Sequence, residues 1–222
     1  MMLCLNDVLT PAEARDIRDR LRTIQFADGA KTAGVFARAV KRNEQAEAGP
    51  DTAKMQEAVA GAFFRHPLFE MAARPKTMKS ILFSRYEPGM EYGTHVDNAI
   101  MSGRPPVRSD LSFTLFLSGP DDYDGGELVI ESPAGELPFK LPAGHAILYP
   151  SSTLHHVAPV TRGVRVVAVS WVQSYVRDPA RRELLYDLET ARHSLFKREG
   201  KTREFDLVSK SFVNLLRMWA EL

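Results

Sequence analysis

One cysteine, Cys4, in 222 residues excludes an intramolecular disulfide framework and any Cys-rich zinc module. Long apolar runs are missing too, and nothing approaches the ~20 residues that a membrane helix requires. Met1 to Leu5 is too short for a secretory h-region and has no basic start, so the expectation is a cytoplasmic protein with no membrane partner. Charge of one sign is also lacking. The 29 Lys+Arg against 28 Asp+Glu leave a net +1, which argues against bulk nucleic-acid binding. No internal period or low-complexity tract is visible, and that sets repeat architectures aside. What remains is a chain with 44% hydrophobic residues, long enough to bury roughly 70% of its unfolded surface without staples. It also has six histidines that composition does not explain.

Three compositional regimes follow one another, and the expected division is 1–76, 77–175 and 176–222. The first is expected to be a mainly helical support region. Thr10-Pro11-Ala12-Glu13 combines an N-cap, a proline at N1 and a capping-box glutamate, and Ile17, Leu21 and Ile24 follow at helical spacing. A second helix starts near Asp51, carries Met55, Val59 and Phe63 on one face, and stops at Pro67. Phe36 to Asn43 reads as strand-like or irregular. In the second regime, short apolar runs alternate with turn signals. The runs are 81–86, 92–97, 111–117, 128–131, 137–141, 146–149, 155–160 and 164–172. Eight strands without intervening helices predict an antiparallel sandwich or barrel, and a jelly roll fits that count. The third regime is helical again. Leu184, Leu185 and Leu188 form one stripe and Val208, Phe212, Leu215, Trp219 and Leu222 another, a helix pair to pack on the barrel or on another subunit.

His95-Val96-Asp97 lies on an expected strand, where residues two apart share a face, as two ligands of one metal must. His155-His156 begins a later strand that leads through Thr161-Arg162-Gly163 into Val164-Arg165-Val166-Val167-Ala168-Val169-Ser170-Trp171. Arg165 is a charge inside an apolar strand, and such a charge is almost never fully buried without an anionic partner. If 161–163 form a three-residue hairpin loop, His155 pairs with Val169 and faces the same side as Arg165. A two-residue turn would select His156 instead. Two histidines and one carboxylate without a thiolate make the facial triad of non-haem Fe(II) oxygenases. Three coordination positions then stay open, enough for a 2-oxo acid and O₂, while an arginine can bind a far carboxylate bidentately. Catalytic zinc can use the same ligands but has no evident use for Arg165.

These residues resemble the prolyl-4-hydroxylase-like Fe(II)/2-oxoglutarate dioxygenases. The likeness is carried by Arg85-Tyr86, Tyr92-Gly93-Thr94-His95-Val96-Asp97, Leu115-Phe116-Leu117, Gly125-Gly126-Glu127-Leu128 and Leu154 to Val160, with Arg165 ten residues after His155. Asp121 to Leu128, Leu141 to Gly144, Tyr149 to Ser152, Trp171 to Ser174 and Arg181 to Leu188 resemble the bacterial PKHD-type hydroxylases in particular.

The resemblance implies a double-stranded β-helix (jelly roll) with flanking helices. It implies Fe(II) on His95, Asp97 and His155, and 2-oxoglutarate held by Arg165 and Tyr86. L-ascorbate would keep the iron reduced. The reaction would consume O₂ and hydroxylate a prime substrate, peptidyl-prolyl or small-molecule, releasing succinate and CO₂. Tyr92 and Trp171 are expected as pocket wall, and His66, His145, His156 and His193 as structural or solvated. The 101–108 loop, with Arg104 and Arg108, is a candidate lid for an acidic substrate, and the C-terminal helices a candidate homo-oligomer contact. A non-catalytic iron and 2-oxoglutarate sensor is the alternative from another class.

Overall fold

Period-2 burial decides the architecture. In the strand Leu111–Phe116, Leu111, Phe113 and Leu115 join one large apolar cluster, while Phe116 joins another on the opposite face. Leu148 and Ala146 likewise oppose Ile147 and Tyr149 in the strand Ala146–Pro150. Strands whose two faces are both buried must lie between two layers. In the computed structural model, which describes residues 1–222, those layers are a helical layer and the interior of a barrel.

The barrel is a jelly roll of two antiparallel sheets. Its larger sheet contains Ala146–Pro150, Leu111–Phe116, Arg165–Ser174 and Leu82–Tyr86 in that order. The smaller sheet runs Gly135–Phe139, Leu128–Ser132, His155–Val157 and Glu91–His95. All eight expected strands are present, with shifted ends. Asp97 lies beyond the end of its strand, which stops at His95.

Five helices flank the barrel: α1 (Pro11–Leu21), α2 (Pro50–Arg65), α3 (Pro67–Ala73), α4 (Pro179–Glu199) and α5 (Arg203–Trp219). The capping box opens α1 as its residues predict. Thr10 N–H donates to Glu13 at 2.8 Å and Glu13 N–H donates to the Thr10 hydroxyl at 3.2 Å. Pro67 ends one helix and begins the next. His66 caps the start of α3, its Nδ1 accepting from Phe69 N–H at 3.4 Å while its Nε2–H donates to the Asn6 carbonyl at 2.9 Å, so His66 is structural. Met55, Val59 and Phe63 of α2 are buried against the larger sheet. At the other end, Val176, Leu185 and Phe212 join α4 to α5. Leu184 is 53% exposed and so leaves the stripe expected of it.

Two expectations need correction. The first 76 residues are not only helical. Leu3–Leu5, Glu44–Ala46 and Phe26–Asp28 extend the larger sheet, and Lys41–Arg42 extends the smaller. Strands of two or three residues are too short to show a period. Nor does the hairpin between 155–160 and 164–172 form. Pro159 cannot donate to a ladder, and the chain leaves the smaller sheet after Val157. Val160–Gly163 pairs with Tyr123–Gly125 instead, and Gly163, at φ +71°, turns the chain into the larger sheet. His155 is therefore opposite His95 and Ile130, not Val169.

Phe113 has no exposed surface, and its ring centroid is 3.9 Å from that of Phe63. Phe113→Ala is expected to cost about 3–5 kcal/mol, the range for deleting a fully buried aromatic ring. Equilibrium urea unfolding measures it.

Candidate functional site

The two sheets face one another across a pocket lined from both sides. The smaller sheet and its edges supply Lys41, Tyr92, His95, Asp97 and His155; the larger supplies Tyr86, Thr114, Tyr149, Arg165 and Trp171. The cavity is about 90 Å³, room for several waters at roughly 10–15 Å³ each.

His95 is the last residue of its strand and His155 the first of the neighbouring one, in register with each other. Their ring centroids are 4.3 Å apart. Each ring is fixed through the chain just before it. His95 Nδ1–H donates to the Gly93 carbonyl at 2.9 Å and His155 Nδ1–H to the Thr153 carbonyl at 3.0 Å. A carbonyl can only accept, so each Nδ1 carries the proton and each Nε2 keeps its lone pair, the tautomer that a metal requires. Tyr92 stacks on His95 at 3.7 Å between centroids. Asp97 is held by the Ser112 hydroxyl, which donates to its Oδ2 at 2.6 Å and lies 2.7 Å from the Ser151 hydroxyl. One ligand atom from each of His95, Asp97 and His155 falls within 4.8 Å of the others. Burial and the adjacent His155 ring push the His95 imidazole down to about 4, so it is neutral near pH 7.

Arg165 is 1% exposed. Its guanidinium lies over the rings of Tyr86 and Phe116, at 4.9 and 5.6 Å from their centroids. Neither Nε nor Nη1 has a hydrogen-bond partner. Such a cation costs several kcal/mol unless an anion joins it. The backbone is shaped around it: Gly126 sits at φ +67°, and a Cβ there would stand 3.0 Å from Arg165 Cδ. Tyr86 is fully buried, and burial raises its phenol pKa despite Arg165 beside it, so it stays a hydrogen-bond donor. The residues present therefore suit a divalent metal with a small dicarboxylate: two nitrogens and one carboxylate oxygen converge, and an unpartnered guanidinium lines the same pocket.

The comparisons agree. Residues 81–173 match the model of the 2OG-Fe(II) oxygenase superfamily. A PKHD-type hydroxylase of Synechococcus sp. is 57% identical over the full length of both chains, and those of Synechococcus elongatus and Maricaulis maris are 56% and 52% identical, again over both full lengths. The chain belongs to the PKHD-type hydroxylases. It is an Fe(II)- and 2-oxoglutarate-dependent dioxygenase. The fold is shared with a Pseudomonas putida prolyl-4-hydroxylase, at 18% identity and a TM-score of 0.54 over 78% of this chain and 92% of that one. A Trichoplax adhaerens prolyl hydroxylase has the same TM-score, 0.54, at 15% identity over 77% of this chain and 82% of that one.

The structure brings together all five residues singled out in the sequence, His95, Asp97, His155, Arg165 and Tyr86. Tyr92 and Trp171 line the pocket as expected. His156 does not reach it; it lies beside Val129 in the sheet register, with Nδ1 buried and unpartnered. His145 lies beside Asn6 and Asp7 at the surface. The 101–108 arginines are not a pocket contact. Arg108 donates to Asp110 at 2.7 Å and to Glu221 at 2.9 Å, so its charge is already paired. Lys41, Ser112, Ser151 and Tyr149 were not anticipated. A lone serine, tyrosine or lysine has no spacing signal, and only the sheet register brings these side chains to the site.

A pKa lowered by folding means that the native state binds fewer protons than the unfolded chain. Stability is then lost as pH falls from the unfolded value of 6.5 towards about 4. The metal-free chain is expected to lose thermal stability across that window, and His95→Gln to flatten that part of the profile. Thermal melts in EDTA across pH 4 to 7.5 check it.

Proposed function

We propose that His95, Asp97 and His155 hold Fe(II) and that Arg165 and Tyr86 hold the distal carboxylate of 2-oxoglutarate. One observation carries this reading: a buried guanidinium with two unpartnered nitrogen positions lines the same pocket as the converging triad. When bound, the iron with 2-oxoglutarate and O₂ would supply oxidative decarboxylation to succinate and CO₂, one oxygen atom going to succinate and the other to the hydroxylated C–H bond.

The chain's own residues bind, orient and exclude. Arg165 offers a planar pair of donors and the Tyr86 hydroxyl a further donor. The carbonyls of Gly93 and Thr153 hold both imidazoles with Nε2 outward. Ser112, backed by Ser151, keeps one Asp97 oxygen engaged and leaves the other free. Tyr86, Tyr149, Phe116 and Val167 form an apolar wall that keeps water from the reacting centre.

The substrate belongs to this reading as a class. The relatives' name and the prolyl hydroxylases of the same fold support a peptidyl-prolyl acceptor, with a small molecule as the alternative. Ascorbate is the proposed reductant that keeps the iron ferrous. The functional division is residues 1–76 as support, 77–175 as dioxygenase core and 176–222 as extension. Exposed Phe196 and Met218 on α4 and α5 support self-association through these helices. No helix is long and apolar enough to cross a membrane; cytoplasmic residence, without nucleic-acid partners, is the proposal.

Succinate release from 2-oxoglutarate without prime substrate tests the assignment. His155→Ala is expected to reduce it at least about 100-fold and His156→Ala by no more than a few-fold. Arg165→Ala, which removes a buried bidentate donor, is expected to raise KM for 2-oxoglutarate about 100-fold. Unchanged kinetics in Arg165→Ala would sink the co-substrate assignment.

A further inference from the structure

Lys41 is the second cation of this pocket, and the oxygenase chemistry does not use it. It lies on the edge strand of the smaller sheet, opposite Tyr92. From Lys41 to Gln45 the side chains alternate. Lys41, Asn43 and Gln45 are buried and line the pocket, while Arg42 is exposed. A barrel interior ordinarily takes apolar residues at such positions. Here every inward residue is polar.

The Lys41 ammonium is held but not neutralised. The residue is 9% exposed, and Nζ donates to the Thr32 hydroxyl at 3.0 Å. Gln45 Oε1 lies 2.7 Å from the same hydroxyl, so the lysine is positioned by a built network. Nζ stands 5.2 Å from the Tyr92 ring centroid, with Tyr92 in turn stacked on His95. No carboxylate lies within 4.0 Å of Nζ. Two of its three donors have no protein partner. Burial is the larger influence on this group and pushes it down to about 8, against the opposing pull of Asp97 and Asp28.

Charge bookkeeping then separates the two cations. Lys41 and Arg165 are the only lysine or arginine lining the pocket. On the reading above, one end of 2-oxoglutarate goes to the metal and its far carboxylate to Arg165. Nothing in the co-substrate remains for Lys41. We propose that Lys41, with Asn43 and Gln45 beside it, is the subsite for a carboxylate of the prime substrate, one aromatic ring away from the metal-binding histidines. The proposal rests on the oxygenase reading for what else occupies the pocket. The carboxylate can belong to a small free acid or to an acidic peptide residue.

The test uses the full chain loaded anaerobically with Fe(II) and 2-oxoglutarate, as wild type, Lys41→Met and Lys41→Arg. The probes are propionate, N-acetyl-L-proline and an end-blocked glutamyl peptide, each paired with its amide. Calorimetric titration reads affinity, and mass spectrometry reads protection of Lys41 from reductive methylation. Wild type and Lys41→Arg are expected to favour at least one acid over its amide by about tenfold, the worth of a charge-assisted contact in a partly dry site. In Lys41→Met that preference is expected to disappear. Discrimination among the small probes assigns the carboxylate to a free acid, and discrimination with the peptide alone to a polymer. Equal behaviour of every acid and amide, absence of binding and protection included, overturns the subsite, as does a preference that survives in Lys41→Met. Succinate release by the wild type with 2-oxoglutarate alone is scored separately. Its absence counts against the oxygenase assignment, whereas acid-selective protection of Lys41 would stand without it.

Discussion

A guanidinium buried to 1% exposure in the wall of the pocket constrains much of the rest of this molecule. Arg165 opens the last long strand of the larger sheet. Tyr86 and Phe116 wall it in, and the buried Tyr123 phenol lies beside it. Paired glycines let the 123–126 segment come this close: a Cβ on Gly125 would meet the Pro159 carbonyl at 2.1 Å, and one on Gly126 the arginine itself. A guanidinium buried this deeply costs several kcal/mol unless an anion pairs with it. The apolar cluster of 24 residues between the helices and the larger sheet is the counterweight. The anion that fills the site must stabilise the fold as well as serve the reaction. Binding and folding are linked through one side chain.

The metal side of the pocket solves a different problem. The proposed ligands come from the ends of neighbouring strands and from the chain just beyond one of them, where fewer ladder hydrogen bonds hold the backbone. Local bonds compensate. Each histidine is tied to a carbonyl two residues before it, which uses no long-range contact. Asp97, beyond its strand, depends on a serine of the opposite sheet. Ser112 lies on the centre of the larger sheet, between Tyr149 and Trp171 in register, so the loop carboxylate takes its position from a strand paired on both edges.

What could be read from the sequence follows the range of each interaction. The capping box of α1, the face of α2 and the eight core strands rest on patterns within a dozen residues, and they were legible. The candidate ligands and Arg165 stood out because their residue types are rare in or beside apolar strands. The pairing of 155–160 with 164–172 was not. Adjacency along the chain favours a hairpin, whereas Pro159 and the crossover at Gly163 carry the chain to another sheet. His155 and not His156 lies in the pocket, but the hairpin that would have put it there does not form. His155 faces the pocket because it pairs with His95, and Arg165 faces it from the other sheet.

Lys41, Asn43 and Gln45 were invisible for the same reason. Their alternation is too brief to stand out, and their meaning appears only when Lys41–Arg42 joins the smaller sheet beside Tyr92 and Glu44–Ala46 joins the larger beside Leu82–Tyr86. The superfamily match covers residues 81–173, a span that contains His95, Asp97, His155, Arg165 and Tyr86 but none of these three. Chemistry common to a superfamily must lie in what its members share, and substrate choice in what is added around it. In this chain the added material closes the pocket with a polar edge strand and the 29–40 segment that packs on it. Gly29 approaches Asn43 so closely that a Cβ would stand 2.0 Å from its Oδ1, and Gly93 leaves only enough room for Val40. Contacts this tight fix the added segment relative to the Glu91–His95 strand, so the charge on Lys41 is held at a set distance from His95 and His155. A fixed cation at a fixed distance can discriminate one substrate position from the next.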